Sequence, residues 1–191
     1  MRHLFLLAAL FCACISYAQI RVQERLPKSK TGFALTTAKT RAKIYYDAND
    51  ALVIKRSAEL FARDIQMVTG QKPELIQKRE RAKALVIVGT IEKNQWICEL
   101  AQKGKIDIRP LQGAWERYLI QTVDNPSPGV AKALVIAGSD RRGAAYGLFS
   151  ISEMMGVSPW YWWGDVPVKT HKALYVDAPP TYSKTPSVKY R

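Results

Sequence analysis

"ALVIVGT" at residues 84–90 returns almost unchanged as "ALVIAGS" at residues 133–139. Both runs are continuously apolar, rich in Val and Ile, and end at a glycine followed by a hydroxyl residue. This composition is typical of strands that are covered on both faces, because no polar residue alternates with the apolar ones. A helical pattern follows each run, over residues 92–102 and 141–155. The two runs therefore predict buried strands of an α/β sheet.

Weaker patterns on either side complete the predicted order of elements. Residues 42–46 and 117–123 predict strands, and residues 74–77 predict the weakest one. The sequence DAND at residues 47–50 offers N-caps for a helix of about five turns that ends at Gly70. Its apolar residues share one face: Ile54, Ala58, Phe61, Ile65 and Val68. We expect an α/β domain of three layers, a mixed β-sheet with flanking helices.

The N-terminus has the pattern of a secretory signal peptide. A short basic start precedes an apolar run at residues 4–15 and small residues that end at Ala18. The run is too short to cross a bilayer, so we expect cleavage after Ala18, a periplasmic or extracellular location and no membrane association. The predicted division is signal peptide 1–18, N-terminal extension 19–41 without a sustained pattern, α/β domain 42–180 and linker 181–191.

The composition argues against several kinds of site. Once the signal is removed, Cys98 is the single cysteine and His171 the single histidine, so an internal disulfide is excluded and a multi-histidine metal site is disfavoured. We predict Cys98 to be a small core residue, and we predict no metal and no cofactor. The formal net charge of +13 would attract polyanions. In an exported protein, acidic polysaccharide fits this charge better than nucleic acid.

GSDRRG at residues 138–143 lies where a phosphate-binding loop would lie, between a buried strand and a helix. Two alanines follow it in place of the Lys-Ser/Thr pair of a P-loop, and the G-x-G-x-x-G pattern is absent. We therefore predict that Asp140 is the N-cap of the helix. Arg141 and Arg142 oppose the helix dipole there, so at least one of them should find an acidic or carbonyl partner.

GVSPWYWWGDVP at residues 156–167 contains four consecutive aromatic residues. Pro159 disfavours a continued helix, so we predict an extended segment with Trp160 and Trp162 on one side and Tyr161 and Trp163 on the other. Such rings either pack in the interior or offer flat faces to a sugar. No spacing of carboxylates indicates the pair that a glycosidase needs. The predicted substrate-binding residues are Trp160, Trp162, Trp163 and Asp165.

Several of these segments together resemble the N-terminal region of glycoside hydrolase family 115, the xylan α-1,2-glucuronidases. The resemblance is carried by ALVIAGSDRRG at 133–143, YG at 146–147, SE at 152–153, GVSPWYWW at 156–163 and DVP at 165–167. It extends to residues 113–123 and 126–129 and, less specifically, to 89–90 and 47–70. Departures are few: Ala144 and Ala145 replace bulkier residues, and Gly164 stands where alanine is commoner.

The resemblance implies a secreted, multi-domain enzyme that removes glucuronic acid or its 4-O-methyl form from glucuronoxylan. In the family, the α/β domain precedes a TIM-like barrel that carries the catalytic carboxylates, and residues 186–191 resemble the lead into this barrel. No catalytic residue can be assigned, so we expect a chain truncated before the barrel and inactive alone. We expect the segment from Trp160 to Asp165 to meet the barrel and edge the uronic-acid pocket. A stand-alone binding module for acidic polysaccharide and a purely structural domain remain alternatives.

Overall fold

The computed structural model describes residues 19–188. The expected signal peptide at 1–18, with Cys12 and Cys14, and the last three residues of the expected linker lie outside this range. The described elements are β1 (Arg21–Gln23), β2 (Gly32–Thr36), β3 (Lys43–Tyr46), α1 (Leu52–Thr69), β4 (Leu75–Ile76), β5 (Ala82–Thr90), α2 (Gln95–Gln102), β6 (Tyr118–Ser127), β7 (Val130–Gly138), α3 (Arg141–Met154), β8 (Leu174–Asp177) and β9 (Thr181–Tyr182), with 3-10 turns at Arg109–Leu111 and Pro159–Trp162.

The main sheet has six strands in the order β4-β3-β5-β7-β6-β9. The two similar apolar runs form β5 and β7 at its centre, and these strands pair in parallel with Leu85 opposite Ala133. Strands β3 and β4 continue the sheet in parallel, whereas β6 and β9 add antiparallel pairs. The predicted mixed sheet and the predicted order of its elements from β3 to α3 are therefore confirmed.

Helices cover both faces of this sheet. Strand residues alternate between the two faces, so Val86 and Ile136 belong to the core cluster that includes α1 and α3, while Ile87 and Val135 belong to the cluster that includes α2. All five apolar residues that were predicted on one face of α1 are buried, and Gly70 ends that helix at a φ of 71°. The three-layer α/β fold is confirmed.

Two helix starts differ from the prediction. Ala51 is the N-cap of α1 and makes no side-chain cap, because the carboxylate of Asp50 instead accepts hydrogen bonds from the backbone N–H and the hydroxyl of Thr90. Helix α2 begins at Gln95, after residue 92, because the Asn94 side chain caps the N–H groups of Trp96 and Ile97. The loop at residues 47–50, which follows β3, is thus linked to the C-terminal end of β5.

A second sheet of three strands lies in part within the range 19–41, where the sequence shows no sustained pattern. Its order is β1-β8-β2, and β8 pairs antiparallel with both neighbours. Phe33 and Leu35 of β2 are fully buried in the core beside α1 and α3. The range 19–41 is therefore part of the folded body. These strands are short and find their partner β8 roughly 140–155 residues further on, which local periodicity cannot reveal.

The helices within residues 19–188 include none that is both long and apolar enough to cross a membrane. The single cysteine and the single histidine within residues 19–188 both have local partners. Cys98 is half-buried and its Sγ lies 3.3 Å from the carbonyl oxygen of Ile91, and burial raises the pKa of this thiol. His171 Nδ1 lies 2.7 Å from the carboxylate of Glu24.

Candidate functional site

The tryptophan-rich segment forms a 3-10 turn at Pro159–Trp162. The prediction of an extended segment with alternating side chains is therefore wrong. Proline is compatible with the first position of a helical turn, because its missing N–H would have no partner there. The Ser158 hydroxyl caps the turn by accepting a hydrogen bond from the backbone N–H of Trp160, at 3.1 Å. A Ser-Pro pair can thus start a helical turn as well as exclude one.

The turn brings two of the predicted site residues to the surface. Trp160 is 67% exposed and Trp163 is 86% exposed, values that are unusual for the largest apolar side chain. Asp165 is also exposed and has a φ of 48°. The side chain of Trp162 lies outside what the structure describes. Trp160, Trp163 and Asp165 thus lie on the surface near one another in the chain, and their predicted role in sugar binding stays a prediction.

A cleft of about 380 Å³ lies beside this turn, between α1 and α3. Tyr161 of the turn forms part of its wall, together with Ser158 and Pro159, whereas Trp160 and Trp163 do not line it. The two helices contribute both apolar and polar side chains to the lining. The main residues are Leu60, Arg63, Asp64 and Met67 from α1, and Tyr146, Phe149, Ser150, Ser152 and Glu153 from α3.

A short hydrogen bond crosses the base of this cleft. The Ser152 hydroxyl on α3 donates to the carboxylate of Asp64 on α1, at 2.6 Å. Burial raises the pKa of Asp64 above its ordinary value, and the hydrogen bond from Ser152 opposes this change by stabilising the charged form. The bond joins the two helices, which gives the Asp64 carboxylate a structural role.

Three apolar side chains at the edge of the cleft are exposed. Leu60, Tyr146 and Phe149 remain 45%, 40% and 36% exposed on the outer surface of α1 and α3. We call these three residues, taken together with the exposed Trp160 and Trp163 of the adjoining segment, the α1–α3 face. Clustered exposed apolar side chains on a folded domain commonly mark a contact with another protein surface or a ligand. The sequence does not predict this cleft. The one local indication is Leu60, an apolar residue that lies off the buried face of α1.

The GSDRRG segment has a structural role, as predicted. Asp140 Oδ1 accepts hydrogen bonds from the N–H groups of Arg142 and Gly143, and Oδ2 accepts one from Glu116. Arg142 finds the predicted acidic partner, since its Nη1 lies 2.9 Å from the carboxylate of Glu116. A Cβ at Gly143 would lie 2.2 Å from the carbonyl oxygen of Arg117. The Asp140 carboxylate thus occupies N–H groups at the helix start that a phosphate-binding loop would offer to its ligand.

Within residues 19–188, no group of three or more His, Cys, Asp or Glu side chains is arranged to hold a metal ion. Several carboxylates that are buried or half-buried make folding contacts, among them Asp47, Asp50, Asp64, Glu116 and Asp140. Asp64 and Glu153 are the acidic residues that line the cleft. The cleft and the tryptophan turn are together the candidate functional site.

Comparison with known proteins relates the fold of this chain to part of a glycoside hydrolase. A solved structure described as a family GH115 4-O-methyl-α-glucuronidase, BtGH115A, with specificity for decorated arabinogalactans, aligns with 83% of this chain at 29% identity and a TM-score of 0.66. The described residues form a GH115-like domain. The chain covers 19% of the length of BtGH115A. The fold and the sequence similarity thus apply to one part of a much longer protein.

Other comparisons add no functional information. CpGH84D aligns with 84% of this chain and 22% of its own at 11% identity and a TM-score of 0.49. The GH20 β-N-acetylhexosaminidase from Streptomyces coelicolor A3(2) aligns with 91% of this chain and 26% of its own at 13% identity and a TM-score of 0.45. Similarity at this level is too low to support a function for this chain. Neither a family model nor a curated protein sequence matches it.

Proposed function

We propose that this chain is the non-catalytic α/β domain of an enzyme that releases glucuronic acid or 4-O-methylglucuronic acid from a polysaccharide. The observation that carries the proposal is the 29% identity to the GH115 glucuronidase over 83% of the chain. The family resemblance in GSDRRG and SPWYWWGDVP also supports the proposal. The first segment lies at a capped helix start, and the second contains a capped turn. The catalytic carboxylates then belong to a TIM-like barrel beyond the described residues.

The second part of the proposal is that the α1–α3 face packs against this barrel. If this face packs against a barrel, its apolar side chains should be exposed to solvent when the barrel is absent, as they are here. Tyr146 lines the cleft and also a hollow beside residues 183–188, so the end of the described chain runs along the same surface. In this arrangement Trp160, Trp163 and Asp165 stand at the edge of the uronic-acid pocket.

The substrate is proposed at the level of its acidic side chains. Glucuronoxylan follows from the family resemblance, whereas BtGH115A is described as specific for decorated arabinogalactans. Both carry glucuronic acid, and the selection between their backbones would lie in the barrel and its rim. We therefore propose a glucuronic-acid-decorated polysaccharide as the substrate class, with glucuronoxylan and arabinogalactan as the two substrates to compare.

Two experiments test the division of labour. Incubation of the purified chain with glucuronoxylan and with decorated arabinogalactan should release no glucuronic acid. Clear release that is lost in Asp64→Asn or Glu153→Gln would overturn the proposal, since these are the carboxylates in the cleft. Reading the coding sequence downstream of codon 191 should reveal a predicted barrel rich in acidic residues. A stop codon there would favour the stand-alone binding module or the purely structural domain.

A third experiment tests the face itself in the longer protein. Trp160→Ala should lower kcat/KM for the polysaccharide or loosen the domain contact, because the ring would lie at the interface. Lys172→Ala, an exposed change elsewhere on the surface, provides the control. If Trp160→Ala and Trp163→Ala both left activity and thermal unfolding unchanged, the α1–α3 face would not be the contact.

Export is proposed on the residues alone. The apolar run at 4–15 and the small residues that end at Ala18 support removal of residues 1–18 and a periplasmic or extracellular location. Mass spectrometry of the protein from its natural source should give a mature chain that begins at Gln19. A retained N-terminal methionine would contradict this.

A further inference from the structure

A shallow groove of about 760 Å³ lies at the end of the sheet where β5 and β7 begin. The β6–β7 hairpin and the C-terminal end of α2 form its sides. The lining carries the cationic side chains of Arg81, Lys83, Lys103 and Lys105 and no acidic residue. We call this surface the basic groove. It lies on the side of the sheet that α2 covers, whereas the cleft lies between α1 and α3 on the other side.

The charge of the basic groove is largely uncompensated. Among residues 19–188, no carboxylate lies within 4.0 Å of Arg81 or Lys83, although the other cations nearby are paired. Lys105 Nζ donates hydrogen bonds to the backbone carbonyls of Asp124 and Asn125, which fix the ammonium group without neutralising it. Lys103 stands 4.0 Å from Glu99.

The nearby acidic residues are occupied by other cations. Glu99 receives two hydrogen bonds from the Arg79 guanidinium, at 2.9 and 2.6 Å. Asp124 pairs with Lys132 at 3.1 Å. Charge of one sign that no neighbour cancels raises the local concentration of anions and attracts them at long range. The basic groove is therefore arranged for an anionic ligand.

The groove is also preorganised. The aliphatic stem of Arg81 lies across Gly129, where a Cβ would meet its Cγ at 2.8 Å. The backbone N–H of Ala82 donates to the Gly129 carbonyl at 3.0 Å, which ties the hairpin to β5. Arg81 and Lys83 stand two positions apart in extended chain, with Ala82 between them, so their side chains leave the same side of the strand from Cα atoms roughly 6–7 Å apart. Cations spaced along one side of a strand can engage a ligand with repeated charges at more than one point.

We propose that the basic groove binds the carboxylate groups of an extended acidic polysaccharide chain. The choice of polysaccharide rests on the proposed function. Single-stranded nucleic acid is disfavoured because no aromatic side chain lines the groove to stack on bases. The same lack of an aromatic platform means that sugar rings are held through their charges, so binding is salt-sensitive. A chain bound here leaves the α1–α3 face free for the catalytic barrel.

The test uses affinity electrophoresis of the purified chain in gels that contain glucuronoxylan, polygalacturonate or carboxyl-reduced glucuronoxylan. Both acidic polymers should retard the protein, and the carboxyl-reduced polymer should not. Retardation should largely disappear at high salt, because the interaction between exposed charges is screened. Equal retardation by the reduced polymer would overturn the proposal, because the backbone and not the carboxylates would then be recognised.

Matched charge variants locate the site. Arg81→Gln/Lys83→Gln/Lys103→Gln removes three charges without touching the Lys105 anchor and should weaken binding at least tenfold. The control Lys28→Gln/Lys39→Gln/Lys172→Gln removes three exposed charges elsewhere and should weaken it less than threefold. Equal losses in both variants would overturn the groove as the site and leave only general basicity. Tighter binding of DNA than of polyuronate through the same three residues would overturn the polysaccharide ligand. The measurement requires no catalysis, so it fails or succeeds independently of the proposed glucuronidase role.

Discussion

Gly143 lies so close to Arg117 that a Cβ at Gly143 would come within 2.2 Å of the Arg117 carbonyl oxygen. The first turn of α3 therefore packs directly against the backbone of Arg117, the residue before β6. The neighbour is backbone and cannot rotate away, so an added methyl group must displace the helix or the strand. The glycine of the GSDRRG segment therefore serves packing.

Gly143→Ala should lower the free energy of unfolding by about 1–3 kcal/mol, as expected for overpacking at a rigid contact. Chemical denaturation followed by far-UV circular dichroism measures this change. Gly164→Ala is the matched control, because its Cβ would meet no atom closer than 3.4 Å. The control should leave stability unchanged or raise it by up to about 1 kcal/mol through the unfolded chain. Equal effects of the two substitutions would contradict the packing argument.

Asp140→Ala should destabilise the chain by about 2 kcal/mol, since it removes the N-cap of α3 and the acceptor of the Glu116 N–H. Asp140→Asn should cost less, because one amide oxygen can still accept from Arg142 and Gly143. The same denaturation measurement ranks the two variants. An alanine variant as stable as the asparagine variant would show that the cap does not support the helix.

Asp64 gives the chain a dependence of stability on pH. Burial raises the pKa of this carboxyl in the folded state, so folding favours its protonated form. The favourable contribution is complete below the unfolded pKa, near 3.8, and is lost as the pH rises through the folded value. Asp64→Asn keeps an acceptor for Ser152 and removes the buried charge. It should therefore stabilise the protein at pH 7 and lose this advantage at low pH.

Thermal unfolding of wild type and Asp64→Asn between pH 3 and pH 8 tests this sign. The difference in Tm should grow with pH and then level off. Ser152→Ala is the companion variant, since it removes the hydrogen bond and leaves the charge, and it should be less stable than wild type at pH 7 by about 1–3 kcal/mol. A difference between wild type and Asp64→Asn that did not vary with pH would assign the stability to packing and not to ionisation.

The fold followed from the sequence wherever the pattern was local. The buried strands β5 and β7 show as continuous apolar runs, and the apolar face of α1 shows as a helical spacing. The sheet formed by β1, β2 and β8 could not be predicted, because the burial of Phe33 depends on a strand far along the chain. The N-cap of α1 was missed because Asp50 binds Thr90 across the loop instead of capping its own helix. Tertiary partners, and not propensities, decided these cases.

The candidate site was predicted only in part. The aromatic run identified the correct segment, but Pro159 was interpreted as excluding a helix when Ser158 in fact starts a turn at that point. The cleft depends on how α1 crosses α3, which no local pattern contains. The basic groove likewise gathers cations from β5, the end of α2 and the segment after it. In the sequence these residues are separate pairs, and only the sheet brings them together.

The exposure of Trp163 provides the last prediction. In the chain alone, acrylamide should quench a large share of the tryptophan fluorescence, and Trp160→Phe/Trp163→Phe should remove most of the quenchable part. Trp96→Phe should not, because Trp96 is 1% exposed. Trp163→Ala should change stability by no more than about 0.5 kcal/mol, whereas Trp96→Ala should cost about 3–5 kcal/mol.

In a longer protein that includes the catalytic barrel, the quenchable share should fall, because the α1–α3 face would be covered. Unchanged quenching there would mean that these rings remain open to solvent, which favours a sugar platform over an internal interface.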